Sequence, residues 1–136
     1  KLRDQVSANV LSQVLCEVGD RLGLNVATSI SDGSQPVGRG VGPALEARDV
    51  LSVLQGKSDA PHDLKNRAIQ LAGRILEQGG RAKAGAGIAL AQLTLDGGEA
   101  WRKFQAICES QGGLVDPPEA AYRYELVADQ AGEVVV

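Results

Sequence analysis

Glycine residues divide this chain into short segments, and that division limits the fold more than any other feature of the sequence. Between the glycines, apolar residues recur at spacings of three and four, which is the pattern of amphipathic helices. Glycine is favoured just past the C-terminus of a helix and destabilises a helix interior. The predicted helix ends therefore lie at the glycines in positions 23, 56, 79, 80, 97, 98, 112 and 113.

The predicted helices cover residues 2–22, 43–55, 61–78, 81–96 and 99–110. Pro43 suits the first position of a helix, where its missing N–H leaves no hydrogen bond unmade. The helix over residues 81–96 begins among glycines that weaken its first turn. The first helix has no capping residue before it, and the chain begins with Lys1 rather than Met, so we predict an internal piece of a longer protein.

Two segments have the pattern of β-strands. Residues 24–30, with the sequence LNVATSI, favour a short strand that leads into a polar turn. Residues 122–136 alternate apolar and polar side chains around a central turn, which predicts a hairpin. Because a lone hairpin is marginally stable in water, this one indicates a further domain. The predicted fold class is α/β and helix-rich, with residues 1–116 in one domain and 117–136 as a linker and the first hairpin of the next.

The composition narrows the classes of partner. The chain has 136 residues, of which 43% are apolar and 3% aromatic, and its net charge is −3. This balance lacks the basic patch that nucleic-acid binding needs, and no run of about 18 apolar residues could form a membrane span. Two cysteines and one histidine are too few for a metal site, so we predict free, buried thiols. With no targeting segment, the prediction is a cytoplasmic protein without a metal, membrane or nucleic-acid partner.

The loop over residues 31–42 is the segment whose residues could carry chemistry. Its glycines at 38, 40 and 42 would let backbone N–H groups approach a ligand, and the helix that begins at Pro43 offers the positive end of its dipole. Arg39 adds a guanidinium that can form paired hydrogen bonds with a phosphate or a carboxylate. Asp32, at the end of the predicted strand, is a candidate acid or base.

Each of these residues also has a purely structural interpretation. Glycine-rich turns between a strand and a helix are common and often bind nothing, and this spacing matches neither the dinucleotide-binding fingerprint nor the P-loop. Aspartates such as Asp32 often cap their own turn, and Arg39 could pair with Glu46 or Asp49. The residues alone leave both interpretations open.

Residues 30–54, ISDGSQPVGRGVGPALEARDVLSVL, resemble the pyrimidine-nucleoside and AMP phosphorylase family. Members of that family carry a run of the type TD…QP.G…GNALEV.E at this place, and the GPALEARDVL of this chain is closer to the AMP phosphorylase branch. Weaker similarity continues at residues 63–64, 98–104, 111–113 and 127–132. The resemblance covers nearly the whole chain and implies an internal fragment of the catalytic α/β domain, followed by the start of a C-terminal β domain.

The resemblance implies a phosphorylase that cleaves the N-glycosidic bond of a nucleoside 5′-monophosphate with inorganic phosphate. The products would be the free base and ribose 1,5-bisphosphate. It implies that Asp32 is the catalytic acid that protonates the leaving base. It places substrate contacts at Gly40, which stands where the family has a serine, and at Lys65. Arg39 joins these two as a candidate substrate-binding residue, and phosphate is a co-substrate rather than a cofactor.

Three alternatives remain beside the AMP phosphorylase. The first is a thymidine or pyrimidine-nucleoside phosphorylase, and the second is a non-catalytic helical module that mediates assembly. The third, a related phosphoribosyltransferase, would need acidic magnesium ligands in a loop, and no such pair is present in the sequence. The phosphate-binding loops of the family lie upstream of Lys1, so we expect the chain by itself to be inactive. We expect the intact protein to be a homo-oligomer.

Overall fold

The computed structural model describes Leu2 and residues 4–132, and it divides the chain into two compact units, Lys1–Ser34 and Gln35–Val136. The described residues contain five α-helices and no β-strand. The helices are α1 (Gln5–Arg21), α2 (Pro43–Leu54), α3 (His62–Gln78), α4 (Gly87–Asp96) and α5 (Glu99–Ser110). The predicted helix-rich character is confirmed, whereas the sheet of the predicted α/β class is absent from these residues.

The first unit is built on α1. Asp4 caps its N-terminus, since the Asp4 carboxylate accepts hydrogen bonds from the backbone N–H of Ser7 at 2.7 Å and from the Ser7 hydroxyl at 2.8 Å. The prediction that no capping residue precedes this helix is therefore wrong, and the helix starts at Gln5. At the other end Gly23 adopts a φ of 71°, so the predicted glycine just past the helix is confirmed.

Residues 24–30 lie along α1 without forming the predicted strand. The hydroxyls of Ser12 and Thr28 lie 2.5 Å apart, and the Cys16 thiol donates to the carbonyl of Val26 at 3.8 Å. These contacts make the segment run antiparallel to the helix. A strand needs a neighbouring strand to share its backbone hydrogen bonds, and the described part of the chain supplies none. The strand prediction is wrong for this reason.

The apolar face of α1 is exposed. Its side chains recur every third or fourth residue, as the sequence predicts for an amphipathic helix. Val6 is 72% exposed and Val18 is 49% exposed. The same face carries Val10, Leu11, Val14, Leu15 and Leu22. Since only Ala8 is a buried apolar side chain among the described residues of this unit, the unit buries little apolar surface.

The second unit contains α2 to α5, and three of these helices match their predicted limits within one residue. Pro43 occupies the first turn of α2, as predicted. The fourth helix is shorter than predicted and starts at Gly87 instead of residue 81. The residues before it form a turn, in which the Ala86 N–H donates to the Lys83 carbonyl at 2.9 Å and Gly85 adopts a φ of 82°. This left-handed glycine prevents the helix from starting earlier.

Glycines permit the close packing of α3 against α4. A β-carbon on Gly73 would lie 2.7 Å from the backbone nitrogen of Ile88, which is well inside van der Waals contact. The Glu77 carboxylate on α3 accepts a hydrogen bond from the N–H of Gly87 at 2.8 Å. This bond satisfies one of the backbone donors that the first turn of α4 leaves unpaired. The contact between the two helices therefore depends on small residues and one carboxylate.

The core of the second unit is small and contains buried polar groups. The buried apolar side chains in its described part are Val53, Ile69 and Ala91. Leu45 and Val50 on α2 do not face inward, since these side chains are 48% and 38% exposed. Asp49 and Ser52 take the inward positions on α2. The cause is the loop before α2, which packs on this side of the helix through Asp49.

Arg48 on α2 holds the segment that follows the last helix. Its guanidinium donates hydrogen bonds to the carbonyl oxygens of Pro117 at 3.1 Å and Pro118 at 2.9 Å. The same guanidinium lies 3.5 Å from the carboxylate of Glu119. The predicted linker is therefore attached to α2 at its start.

The predicted hairpin is not formed in the described residues. Residues 122–128 have no regular secondary structure, and residues 133–136, the second arm of the prediction, lie outside the residues that the structure describes. Tyr122 and Tyr124 are 93% and 90% exposed, so the segment has no packing partner that would stabilise a strand. The prediction of a strand over its first arm is wrong for this chain.

Replacing Gly73 with alanine should destabilise the second unit, because the added methyl group would overlap the backbone of α4. Overpacking of this kind costs about 1–3 kcal/mol, which exceeds the helix propensity that alanine gains. Urea unfolding followed by the fluorescence of Trp101 measures the change. The control is Gly132→Ala, where a β-carbon meets no atom within 4 Å. Equal stability of Gly73→Ala and the unchanged chain would contradict the close packing.

Candidate functional site

Residues 37–42, called the glycine loop from here on, are held by a carboxylate on the helix that follows them. Oδ2 of Asp49 accepts hydrogen bonds from the backbone N–H groups of Arg39 and Gly40, each at 2.7 Å. Asp49 lies on α2 and is 7% exposed. Because the acceptor is charged and shielded from water, these bonds are stronger than bonds between neutral groups. They fold the loop back onto α2.

A second carboxylate holds the start of the glycine loop. Asp63, in the first turn of α3, accepts a hydrogen bond from the N–H of Gly38 at 2.9 Å. Gly38 adopts a φ of 79°, and a β-carbon there would lie 2.9 Å from Oδ2 of Asp49. Glycine therefore permits the left-handed backbone and leaves room for the carboxylate. The three consecutive N–H groups of residues 38–40 all donate to carboxylates of this unit.

The end of the glycine loop is equally constrained. A β-carbon on Gly40 would lie 2.5 Å from the carbonyl carbon of Leu45, so a larger residue would displace the first turn of α2. The N–H of Gly42 donates to the Glu46 carboxylate at 3.1 Å. Glu46 thereby places a negative charge at the positive end of the α2 dipole. The N–H groups of the three loop glycines, 38, 40 and 42, are thus bonded to carboxylates of the chain itself.

These contacts lower the pKa of both anchoring carboxyl groups. For Asp49 the N–H of Gly40 is the largest cause, the N–H and guanidinium of Arg39 add to it, and burial opposes the shift. For Asp63 the N–H of Gly38 lowers the pKa most, while the charge of Asp49 raises it. Both groups are therefore ionised at neutral pH, and the two hydrogen-bond sets are fully formed there.

Arg39 directs its side chain away from the core. Its guanidinium lies 3.4 Å from Asp49 and 3.9 Å from Asp59, and the side chain is 57% exposed. Of the two partners that the sequence allowed, Glu46 and Asp49, the structure selects Asp49. The Arg39–Asp59 pair is exposed on both sides, and such pairs contribute little to stability, so the guanidinium can exchange this partner for a ligand at small cost.

Lys65 lies in a groove of about 420 Å³ formed by the end of α2, the start of α3 and the junction of α4 with α5. Its ammonium group lies 2.9 Å from Oδ1 of Asp96, and this hydrogen bond is the largest cause of the lowered pKa of Asp96. His62 and Trp101 line the same groove. A groove lined by an ammonium group and an indole ring can bind an anionic or planar ligand group.

Asp32 lies in the first unit, near its end. Its Oδ1 accepts a hydrogen bond from the backbone N–H of Ser34 at 2.9 Å, which closes a turn on its own backbone. The structural interpretation of Asp32 as a turn-capping residue therefore holds in this structure.

The structure brings two of the three candidates in the second unit together. Arg39 and Gly40 share the carboxylate of Asp49. Lys65 lies two residues after Asp63 on α3, and Asp63 holds the start of the glycine loop. The Lys65 side chain pairs with Asp96. The link between the loop and Lys65 is therefore the first turn of α3.

Sequence reasoning missed the carboxylates that organise these residues. Asp49 entered only as a partner for Arg39, and neither Asp63 nor Asp96 was singled out. The sequence does contain one indication of these carboxylates. A loop rich in glycine exposes backbone N–H groups, and these donors need acceptors. An aspartate on the inward face of the following helix is the nearest acceptor that could satisfy them.

The residues that the structure describes contain neither a metal-binding cluster nor a membrane-spanning helix. No group of three or more His, Cys, Asp or Glu side chains is placed to hold a metal ion. None of the described helices combines the length and the apolar character that crossing a membrane requires. Cys16 and Cys108 are free and half-buried, whereas the sequence predicts free and buried thiols.

Comparison with known proteins places the chain among longer sequences. No family model matches it. It is 57% identical over 134 residues to "Putative thymidine phosphorylase 1" of Acidovorax sp. (strain JS42). Proteins named "Putative thymidine phosphorylase" from Chelativorans sp. (strain BNC1) and Legionella pneumophila (strain Paris) are 56% and 53% identical. The alignments cover 98–99% of this chain and 26% of each relative, so the chain spans about a quarter of the length of the curated relatives it matches.

The contribution of Asp49 to stability should depend on pH in a defined direction. Its pKa in the folded chain lies below the ordinary value of 3.8, so the stabilisation is complete above that value and is lost as the pH falls through the folded pKa. Asp49→Asn removes the titrating group. Urea unfolding from about pH 6 to about pH 3 should therefore show a free-energy difference between the two chains that shrinks on acidification. A difference that is constant over this range would contradict the lowered pKa.

Proposed function

Because this chain belongs, over nearly its whole length, to the family of proteins named "putative thymidine phosphorylase", we propose that the intact protein is a nucleoside phosphorylase. It cleaves the N-glycosidic bond of a nucleoside with inorganic phosphate and releases the free base and a sugar 1-phosphate. The observation that carries the proposal is the alignment with these relatives, which covers 98–99% of this chain and therefore includes residues 30–54, where Asp32, Arg39 and Gly40 lie.

Four residues of this chain have roles in the proposed reaction. Asp32 donates a proton to the base as the glycosidic bond breaks, because the departing base would otherwise leave as an anion. The exposed Arg39 and the half-buried Gly40 contact the substrate, and Lys65 contributes a positive charge. Inorganic phosphate is bound by other parts of the intact protein.

A pyrimidine nucleoside such as thymidine is the first candidate substrate, by analogy with the names of the relatives. AMP is the second, because the run GPALEARDVL resembles the AMP phosphorylase branch. The two differ by a 5′-phosphate, which would need a cationic partner, and Lys65 and Arg39 are the candidates for that role. With AMP as substrate the products are adenine and ribose 1,5-bisphosphate.

The proposal extends to the organisation of the intact protein. Residues 1–116 belong to its catalytic α/β domain, and residues 117–136 open its C-terminal domain. The protein acts in the cytoplasm as a homo-oligomer, with inorganic phosphate as co-substrate and no cofactor.

The test uses the intact protein with thymidine or AMP, each with and without inorganic phosphate. The proposal expects release of thymine or adenine only when phosphate is present. Release from thymidine alone favours the first candidate, and release from AMP alone favours the second. A protein that forms a stable oligomer and releases no base from any nucleoside or nucleotide would instead be a helical assembly module.

Replacing Asp32 with asparagine in the intact protein should lower the rate of base release by about 10²–10⁴-fold, the range typical of general acid catalysis. The matched control is Asp20→Asn, which removes an equal charge from an exposed position on α1 and should leave the rate within about twofold, as surface changes away from a site do. A loss smaller than tenfold for Asp32→Asn would remove this residue from the role of proton donor.

A further inference from the structure

We propose that Asp49, together with Asp63, is a positioning residue that holds the glycine loop in the form in which the Arg39 side chain meets the substrate. The effect on activity rests on the proposed function, whereas the effect on the loop itself stands on the geometry. Neither aspartate touches the substrate in this proposal. Both act through the backbone of the loop.

The geometry of Asp49 carries the proposal. A single oxygen, Oδ2, accepts two backbone hydrogen bonds of 2.7 Å from adjacent residues, which an uncharged side chain supports less well. The carboxylate is buried, so removing either the bonds or the charge leaves polar groups without water to replace them. The loop and this residue are therefore fixed together.

The glycines of the loop fit the same arrangement. A side chain on Gly38 would touch Oδ2 of Asp49, and a side chain on Gly40 would displace the backbone at Leu45. The glycines thus make room for the carboxylate and the helix of this unit. A loop open to a phosphate ion would direct the same N–H groups outward.

This arrangement determines which groups of the loop remain for the substrate. The N–H groups of residues 38–40 are bonded to Asp63 and Asp49, so they are not the donors that bind it. The exposed guanidinium of Arg39 is the charged group that the loop presents. Recognition at this loop is therefore by a positioned side chain, and the substrate group it suits is an anionic or carbonyl oxygen.

The experiment compares Asp49→Asn with Asp59→Asn in the intact protein. Asp59 is an exposed carboxylate 3.9 Å from the same guanidinium and holds no N–H of the loop in the structure, so its replacement controls for the lost charge. Hydrogen–deuterium exchange of a peptide that covers residues 37–42 reports on the loop. Steady-state kinetics with the nucleoside, at saturating phosphate, give kcat and KM and so report on the contribution of the loop to substrate binding.

Asp49→Asn should speed exchange in the glycine loop and raise KM for the nucleoside about tenfold or more, with kcat within about threefold, since misplaced binding groups weaken binding first. Asp49→Glu, which keeps the charge, should recover part of the exchange protection. Asp59→Asn should leave exchange and KM within about twofold, the effect of a weak surface pair.

Unchanged exchange in Asp49→Asn would overturn the anchoring role, whatever the activity. Faster exchange with an unchanged KM, in a protein that performs phosphorolysis, would overturn the link to the substrate. If the unchanged protein has no phosphorolysis, the proposed function fails while the exchange result still decides the anchoring role. Should Asp49→Asn lose helix content by circular dichroism, Asp63→Asn tests the same anchoring at the N–H of Gly38, and unchanged exchange there would count against it.

Discussion

The carboxylate of Asp49 is the interaction on which the rest of the second unit's candidate site depends. It is buried, it carries a charge, and it binds two adjacent N–H groups of the glycine loop. Its neighbour on the same helix, Arg48, binds the carbonyl oxygens of Pro117 and Pro118. One turn of α2 thus fixes the loop that precedes the helix and the segment that begins the C-terminal part of the chain. A buried charge is tolerated there because its hydrogen bonds are complete.

Carboxylates on α2 and α3 therefore accept hydrogen bonds from the backbone N–H groups of the loop, in the way that a bound anion would. Glycine-rich loops before helices bind phosphate elsewhere through outward N–H groups and the helix dipole. Here Asp49, Asp63 and Glu46 take those positions. The proposal that follows is a loop held by carboxylates that offers the Arg39 side chain, rather than a loop that closes around phosphate. In the proposed phosphorylase, phosphate would then be bound by other parts of the protein.

Local features of the helices could be predicted because their causes are local. Pro43 and the glycines at 23 and 80 fix helix ends through backbone geometry alone. The pattern of residues 24–30 predicts a strand that does not form. A strand needs a neighbouring strand to share its backbone hydrogen bonds, and the described residues contain none. The inward face of α2 also does not follow from the apolar pattern, because the glycine loop packs there on the carboxylate of Asp49. Asp32 and Arg39 follow from the residues of the loop, and Gly40 and Lys65 follow from a family resemblance. The contacts of Asp63 and Asp96 follow only from the three-dimensional structure.

A crystal structure of the intact protein with nucleoside and phosphate bound tests most directly whether the glycine loop is held by the protein rather than by its ligand. The expected result is that Oδ2 of Asp49 stays within about 3 Å of the N–H groups of Arg39 and Gly40, with the Arg39 side chain turned toward the nucleoside. A phosphate oxygen bonded to those two N–H groups, with the Asp49 carboxylate turned away, would contradict it.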